Sequence, residues 1–356
     1  MKFSLILLLL ISSCAKLGYI TEQGYQQLKL QMAGEENSKI LNDPKVSQEV
    51  KRKILLVGDY KEFFYRYFSE KPTKIYSKTT MLDHEAVSYL VVASPHTEIR
   101  AHEFEFPFMG SFPYLGFLKK ESAKSFAKKL REKENLVTWV RPVYAYSTLG
   151  YLEDRILSSF FQFDDVELAE LVFHELFHTV FFIRDDVDLN ENLANLYGKE
   201  LLHEYFKGKP ELEIYLKKEE RKEVFSKRVL ELIKILQEEF DKLGGFITDE
   251  KADILTKRFV EEVFKPDLRS LCQQLKLSED DCEIKDHWNQ ASFAAFLTYE
   301  EEQDFLYALK AHQKLNLKEF LSWLKSEYKV FKKQDKVEHF TDYLKLKVPD
   351  ETSTPN

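Results

Sequence analysis

Apolar residues recur at helical spacing along most of this chain. Segments of this kind predict amphipathic helices over about residues 44–68, 211–243, 249–264, 289–312 and 317–332. Pro44 is well placed for a helix start, because the first turn of a helix does not need its missing N–H. From Asp165 onward the pattern is nearly all helical.

One section has the pattern of β-strands instead. The segments SYLVVASP (88–95), HEFEFPF (102–108) and LVTWVRPVYAY (136–146) are short, rich in Val, Tyr and Phe, and bounded by Pro or Gly. An amphipathic helix, KESAKSFAKKLREKE (120–134), lies between the last two. We therefore predict a small mixed block over 86–147 in a mostly helical chain, an α+β protein.

Composition and charge exclude some classes of protein. The chain has 356 residues, of which 44% are hydrophobic and 14% aromatic, a composition typical of a folded protein. Its formal net charge is −8 and it has no basic block, so nucleic-acid binding is not expected.

The N-terminus, MKFSLILLLLISSCAKLG, has the features of an export signal. Lys2 precedes an apolar run, Leu5 to Ile11, that is too short to span a membrane. Ile11-Ser12-Ser13-Cys14 resembles a bacterial lipobox, in which the cysteine becomes the lipidated first residue. The alternative is an ordinary signal that is cut after Ala15. We expect a lipid anchor at Cys14 in the cell envelope, on the periplasmic side of the outer membrane, since Ala15 is not the Asp that favours inner-membrane retention.

Two further cysteines, Cys272 and Cys282, lie ten residues apart in a chain expected to be exported. A disulfide can persist outside the cytoplasm, so we predict that these two residues are paired. The alternative is two unrelated thiols.

The segment VFHELFHTVFF (172–182) places two histidines and a glutamate in an apolar run. Asp164-x-x-Glu167 predicts a capping box, and the helix should continue to about Phe182. His174 and His178 are four residues apart and share one face, where both can bind one metal ion. Glu175 is turned by about 100° from His174, toward the expected position of an activated water. This is the H-E-x-x-H signature of zinc peptidases, although a core helix with satisfied histidines is the alternative.

A third ligand is expected downstream. Asn190-Glu191-x-x-Ala194-Asn195 looks like the second half of a gluzincin site, and Glu191 is placed to be the ligand in the first turn of a second helix. Alternatively, Glu191 is a capping-box acid paired with Asp188. A metzincin site is excluded, because the chain has Phe181 and Arg184 where that class needs Gly and His.

The run from 142 to 195, PVYAYSTLG through NENLAN, resembles the bacterial predicted-aminopeptidase family, and weaker similarity extends over most of the chain. The resemblance implies a zincin, gluzincin-like fold with one Zn²⁺ held by His174, His178 and Glu191, and with Glu175 as general base. Family members are predicted zinc peptidases, and many carry lipoprotein signals. The resemblance also implies a peptide or protein substrate.

The chain departs from well-characterised gluzincins at two places. Asn195 stands where thermolysin-like enzymes have an Asp that orients a zinc ligand, so we expect Asn190 and Asn195 to support the site without charge. No segment matches the G-x-M-E-N motif whose Glu binds a free amine. Tyr146 and Tyr299 are candidates for stabilising the oxyanion, and the alternative for both is a packed aromatic.

The predicted organisation is a lipoprotein signal peptide (1–13), a tether and the start of the first helix (14–43), a helix with the small α+β block (44–147), a helical zinc-binding region (148–335) and a disordered tail (349–356). We expect 44–147 and 148–335 to pack as one domain. The predicted function is a membrane-anchored zinc peptidase, and the family resemblance suggests an aminopeptidase. The alternatives are an endopeptidase acting on envelope proteins and a non-catalytic, zinc-stabilised lipoprotein that binds envelope partners.

Overall fold

A computed structural model describes residues 18–106, 110–144, 153–183, 186–243, 247–277, 282, 284, 288–300, 303–334, 337 and 339–347. The predicted signal peptide, Cys14, Tyr146 and the predicted tail lie outside the described residues. Within the described part, no helix combines the length and the apolar character needed to cross a bilayer.

The chain is mostly helical, as the pattern predicts. Its helices are α1 (residues 18–32), α2 (Asn37–Asn42), α3 (Gln48–Phe68), α4 (Lys120–Lys133), α5 (Asp165–Phe177), α6 (Val187–Phe206), α7 (Pro210–Lys242), α8 (Asp249–Phe259), α9 (Lys265–Gln274), α10 (Gln290–Glu300), α11 (Gln303–Gln313), α12 (Leu317–Phe331) and α13 (Phe340–Lys345). A 3₁₀ turn covers Ser158–Gln162, and a π-helical turn, Val260–Phe264, joins α8 to α9.

Within the described residues, eight short strands form small sheets. They are β1 (Glu35–Glu36), β2 (Lys78–Thr80), β3 (Ser88–Ser94), β4 (Phe104–Phe106), β5 (Gly110–Phe112), β6 (Leu115–Phe117), β7 (Val137–Val143) and β8 (Ile156–Leu157). The sheet orders are β1-β2-β8, β6-β3-β7 and β4-β5. Only β2 and β8 run parallel among these pairs. Small sheets beside many helices confirm the α+β class.

Two of the predicted helices have different bounds. The first long helix begins at Gln48 rather than at Pro44, because the Ser47 side chain accepts a hydrogen bond from Val50 N and caps it there. The segment predicted as one helix over 289–312 is helical over Gln290–Glu300 and Gln303–Gln313, and the two residues between these ranges lie outside the described part.

The described residues fall into two compact units. The first takes them from Met1–Met32, His84–Tyr144 and Ile214–Glu301, and the second from Ala33–Asp83, Ala145–Glu213 and Glu302–Asn356. Each unit therefore draws on several of the predicted ranges. The packing of 44–147 and 148–335 as one domain stays a prediction.

The first unit has a sheet and a helical core. In the sheet, β3 lies between β6 and β7, and the apolar face of α4 covers buried side chains such as Val91 and Phe117. A helical cluster centres on Leu236, Phe264 and Phe293. Cys272 and Cys282 form a disulfide with a Cα–Cα distance of 5.8 Å.

The second unit is built around α5. Tyr60 and Phe63 of α3 pack edge-on or tilted against Phe173 at 5.9 and 5.7 Å between ring centroids. On α6, Tyr197 stacks on Phe177 at 4.1 Å, and its hydroxyl donates to the carbonyl of Leu317. These aromatic contacts fix α5 between α3 and α6, where the candidate site lies.

Candidate metal centre

The start of α5 is held from two sides. The Asp164 carboxylate accepts hydrogen bonds from Val166 N and Glu167 N, and the Glu167 side chain accepts one from Asp164 N, which confirms the predicted capping box. Asp165 binds Arg52 at 2.6 Å and the buried Lys53 at 2.8 Å. Hydrogen bonds from these two cations lower the pKa of Asp165 to about 2.

The end of α5 comes earlier than predicted. The helix ends at Phe177, not near Phe182, because the chain tightens into turns in which Thr179 N donates to Leu176 O and Val180 N donates to Phe177 O. No Gly or Pro marks this end in the sequence. His178 is the capping residue and keeps helical dihedrals, φ −56° and ψ −21°, so it still shares a face with His174.

The turn between the two helices is fixed by Asn190. Its buried side chain accepts a hydrogen bond from Ile183 N at 2.8 Å and donates to the carbonyls of Ile183 at 2.7 Å and Asp186 at 2.8 Å. The Asp186 carboxylate in turn accepts hydrogen bonds from Thr341 N and Oγ1. Asn190 therefore satisfies main-chain groups of the turn immediately before Glu191 in sequence.

The position of Glu191 differs from its prediction by one turn. Helix α6 begins at Val187, which places Glu191 in the second turn rather than in the first. The capping-box alternative is wrong, because Asp186 and not Asp188 occupies the N-cap and its side chain makes no cap bond.

A glycine lets the two helices approach closely. A Cβ atom on Gly198 of α6 would lie 3.2 Å from the carbonyl oxygen of Glu170 and 3.4 Å from both Cβ and N of His174. The α6 backbone thus lies directly against the turn of α5 that carries His174.

The structure brings His174, His178 and Glu191 together. One ligand atom from each lies within 4.8 Å of the others. The two Nε2 atoms are 3.3 Å apart, and the Glu191 carboxylate oxygens lie 3.3 Å from Nε2 of His174 and 3.6 Å from Nε2 of His178. Of the described residues, these three form the group of His, Cys, Asp and Glu side chains that could hold a metal ion.

The charges of the three side chains are coupled. Burial lowers the pKa of His178 to about 4, and the charge of His174 acts in the same direction. Burial also opposes the charged form of His174, but hydrogen bonds with Glu191 and Asn195 and the negative charges of Glu175 and Glu191 outweigh it and raise its pKa. Burial favours the neutral acid at Glu191, but the two histidines outweigh it and lower the pKa of that carboxyl.

Glu175 lies on the same helix, with 6% of the residue exposed. Sequence reasoning missed its neighbour Tyr76, a buried residue in the left-handed region at φ 59°. Burial, then the negative charges of Glu175 and Asp154, raise the pKa of Tyr76 well above its ordinary value. Tyr76 is 99 positions before Glu175 and outside any periodic segment, so no sequence pattern links the two residues.

The remaining candidates divide clearly. A hydrogen bond with Asn195 contributes to the raised pKa of His174, and the supporting role of Asn195 stays a prediction. Tyr146 lies outside the described residues. Tyr299 lies in α10, but its side chain is outside the described part.

The three side chains fit a zinc ion by their chemistry. Two imidazoles and a carboxylate are ligands that zinc takes in catalytic sites. The Nδ1 atom of His178 is buried and has no hydrogen-bond partner within the described residues. The two histidines are mostly buried, with side chains 17% and 1% exposed, and their close approach is costly unless a common partner compensates them, as a cation would. The Glu191 side chain is 46% exposed, which leaves this ligand on the open side of the site.

The fold and the site define an α+β protein with a candidate metal centre of two histidines and a glutamate on adjacent helices. The chain belongs to a family described as "putative aminopeptidase", whose sequence profile matches residues 18–338. No curated protein and no solved structure matches the chain. Membership supports a peptidase-like function with a peptide or protein substrate.

Proposed function

We propose that the chain is a zinc peptidase of gluzincin type. The observation that carries the proposal is the convergence of His174, His178 and Glu191 within 4.8 Å. The buried Glu175 follows His174 on helix α5. Family membership supports the same class of reaction. In this proposal the three side chains bind one zinc ion.

Zinc, when bound, supplies a Lewis acid that lowers the pKa of water and polarises a peptide carbonyl. The protein's own residues supply the proton transfers. Glu175 would accept a proton from the attacking water at its carboxylate and deliver it to the leaving amine. Asn195 would orient His174, and Asn190 would hold the turn that positions Glu191.

Glu175 favours an enzyme over a purely structural zinc protein. A structural site is closed by its ligands and needs no acid beside them. Here a carboxylate follows His174 directly and contributes to the charge that raises the pKa of that histidine. We therefore favour the catalytic proposal over the zinc-stabilised binding protein.

The proposed location is the surface of a bacterial envelope membrane, with a lipid on Cys14 as the anchor. The lipobox-like segment that ends at Cys14 supports this proposal. Outer-membrane attachment rests on Ala15 alone. We also propose Tyr146 and Tyr299, the two tyrosines named from the sequence, as candidates for stabilising the oxyanion. Tyr→Phe substitution at each of them, and at Tyr76 for comparison, would test this role.

The substitution Glu175→Gln tests the proposal. It should lower kcat/KM for peptide hydrolysis by about 10²- to 10⁴-fold while zinc content stays unchanged, since the amide cannot accept the proton. Glu62→Gln, at a side chain 75% exposed on α3, is the matched control and should change neither. Full activity in Glu175→Gln would refute the catalytic role.

A mixture of peptides with free and with acetylated N-termini distinguishes the two kinds of peptidase. An aminopeptidase should cleave only the free peptides and release one residue at a time. Cleavage of both kinds at internal bonds would favour the endopeptidase alternative, because an endopeptidase does not need a free amine. The lack of a G-x-M-E-N acid in the sequence agrees with this alternative.

A further inference from the structure

The first helix, α1, carries its apolar residues on the outside. Four large apolar side chains are exposed to solvent: Ile20 by 49%, Tyr25 by 65%, Leu28 by 58% and Met32 by 78%. At 100° per residue, Tyr25, Leu28 and Met32 fall within one sector of about 60°, and Ile20 lies about 80° outside it. We name Tyr25, Leu28 and Met32 the outer face of α1.

The side of α1 that packs on the protein makes several polar contacts, beside the Tyr19 ring, which packs edge-on against Phe117 at 5.2 Å. Tyr19 donates a hydrogen bond to Gly116 O at 2.7 Å, Gln23 accepts one from Leu118 N at 3.0 Å, and Glu22 accepts one from Ser122 at 2.7 Å. Further along this side, both amide atoms of Gln27 are buried and have no hydrogen-bond partner within the described residues. This arrangement reverses the usual pattern, in which a surface helix buries its apolar stripe.

The surroundings of the outer face indicate a membrane as its cover. The described part of α1 starts at residue 18, four positions after the cysteine proposed to carry lipid. None of the exposed positions of α1 is acidic, and the single charged residue among them is Lys29. Apolar side chains with a basic residue and a tyrosine are typical of helices that lie in the headgroup region of a bilayer.

We propose that the outer face of α1 inserts into the surface of the membrane that holds the lipid on Cys14. Insertion of the helix would add to the attachment that the lipid provides, because both bury apolar groups in the same bilayer. The contact would also fix the orientation of the first unit on the membrane. This inference rests on the proposed lipid anchor at Cys14 and is independent of the zinc site.

Vesicle binding tests the proposal without the lipid. The mature chain, residues 14–356 with Cys14→Ser, is sedimented with vesicles of phosphatidylcholine and phosphatidylglycerol. The double variant Leu28→Ser/Met32→Ser should bind about tenfold more weakly, since two exposed apolar side chains are lost. The matched control is Ile214→Ser/Ile254→Ser, at side chains 69% and 61% exposed elsewhere in the first unit, and it should bind like the parent.

A second measurement does not depend on removing apolar residues. An environment-sensitive dye on Leu28→Cys should shift to the blue when vesicles are added, and the same dye on Ile214→Cys should not. Absence of vesicle binding, or equal loss in both double variants, would overturn the proposal. So would a concentration-dependent blue shift without vesicles, because that result would show that the outer face joins two copies of the chain.

Discussion

The close approach of α6 to α5 at Gly198 makes a specific prediction for Gly198→Ala. The new Cβ would lie 3.2 Å from Glu170 O and 3.4 Å from His174 N, and both are backbone atoms of a packed helix. The helices must separate by a few tenths of an ångström. Overpacking of this kind costs about 1–3 kcal/mol, more than the gain of about 0.5–1 kcal/mol expected for Ala over Gly in a helix.

Gly58→Ala is the matched control, because Gly58 lies inside α3 and an added Cβ would meet no atom within 4 Å. It should stabilise the protein by about 0.5–1 kcal/mol. Urea unfolding of both variants should thus show midpoints displaced in opposite directions. Zinc affinity should fall about tenfold in Gly198→Ala only, because metal ligands tolerate errors of about 0.2 Å.

Equal stabilisation by the two substitutions would refute the reasoning. It would mean that the contact at Gly198 relaxes without cost and does not set the distance between the two helices.

Three more predictions follow from the contacts described above. Asn190→Ala should lower the free energy of unfolding by about 2–4 kcal/mol and weaken zinc binding, since it leaves buried main-chain groups unpaired. The control Asn42→Ala, at an exposed side chain, should change the free energy of unfolding little. Equal effects of the two substitutions would contradict the role of the turn. Because the folded pKa of Asp165 is lowered from 3.8 to about 2, its ion pairs stabilise the fold above pH 4 and lose this effect as the pH falls toward 2. Asp165→Asn should therefore melt at a lower temperature than the parent above pH 4, and this difference should shrink as the pH falls toward 2. A difference in melting temperature that stays constant over that range would argue against the role of the ion pairs. Replacing Cys272 and Cys282 by Ser should lower the free energy of unfolding in urea by about 3 kcal/mol, since the disulfide closes a short loop. Peptide hydrolysis should be unchanged, because the loop lies in the first unit. Loss of activity in a folded variant would contradict this.

The sequence predicts most of the regular structure because its local signals are strong. The short β-favouring segment 88–95 gives β3, and the amphipathic pattern of 120–134 gives α4 with an error of one residue. The errors lie at the ends of helices. Helix α5 ends at Phe177 in turns at Thr179 and Val180, and no Gly or Pro near Phe177 indicates this end.

The candidate site divides in the same way. Helical spacing alone places His174 and His178 on one face, and the order of residues after them brings Glu191 near. The contributions of Gly198 and Tyr76 could not be predicted, because they depend on how closely two helices pack and on a residue from a distant loop.

The most direct test of the central claim is the zinc content of the mature chain, purified with Cys14→Ser and compared with His178→Ala. We expect about one zinc per chain in the parent and loss of zinc in His178→Ala. His203→Ala should keep its zinc, because His203 is exposed on α6. A parent protein that binds no metal even when zinc is supplied would contradict the account, because His174 and His178 would then be core residues.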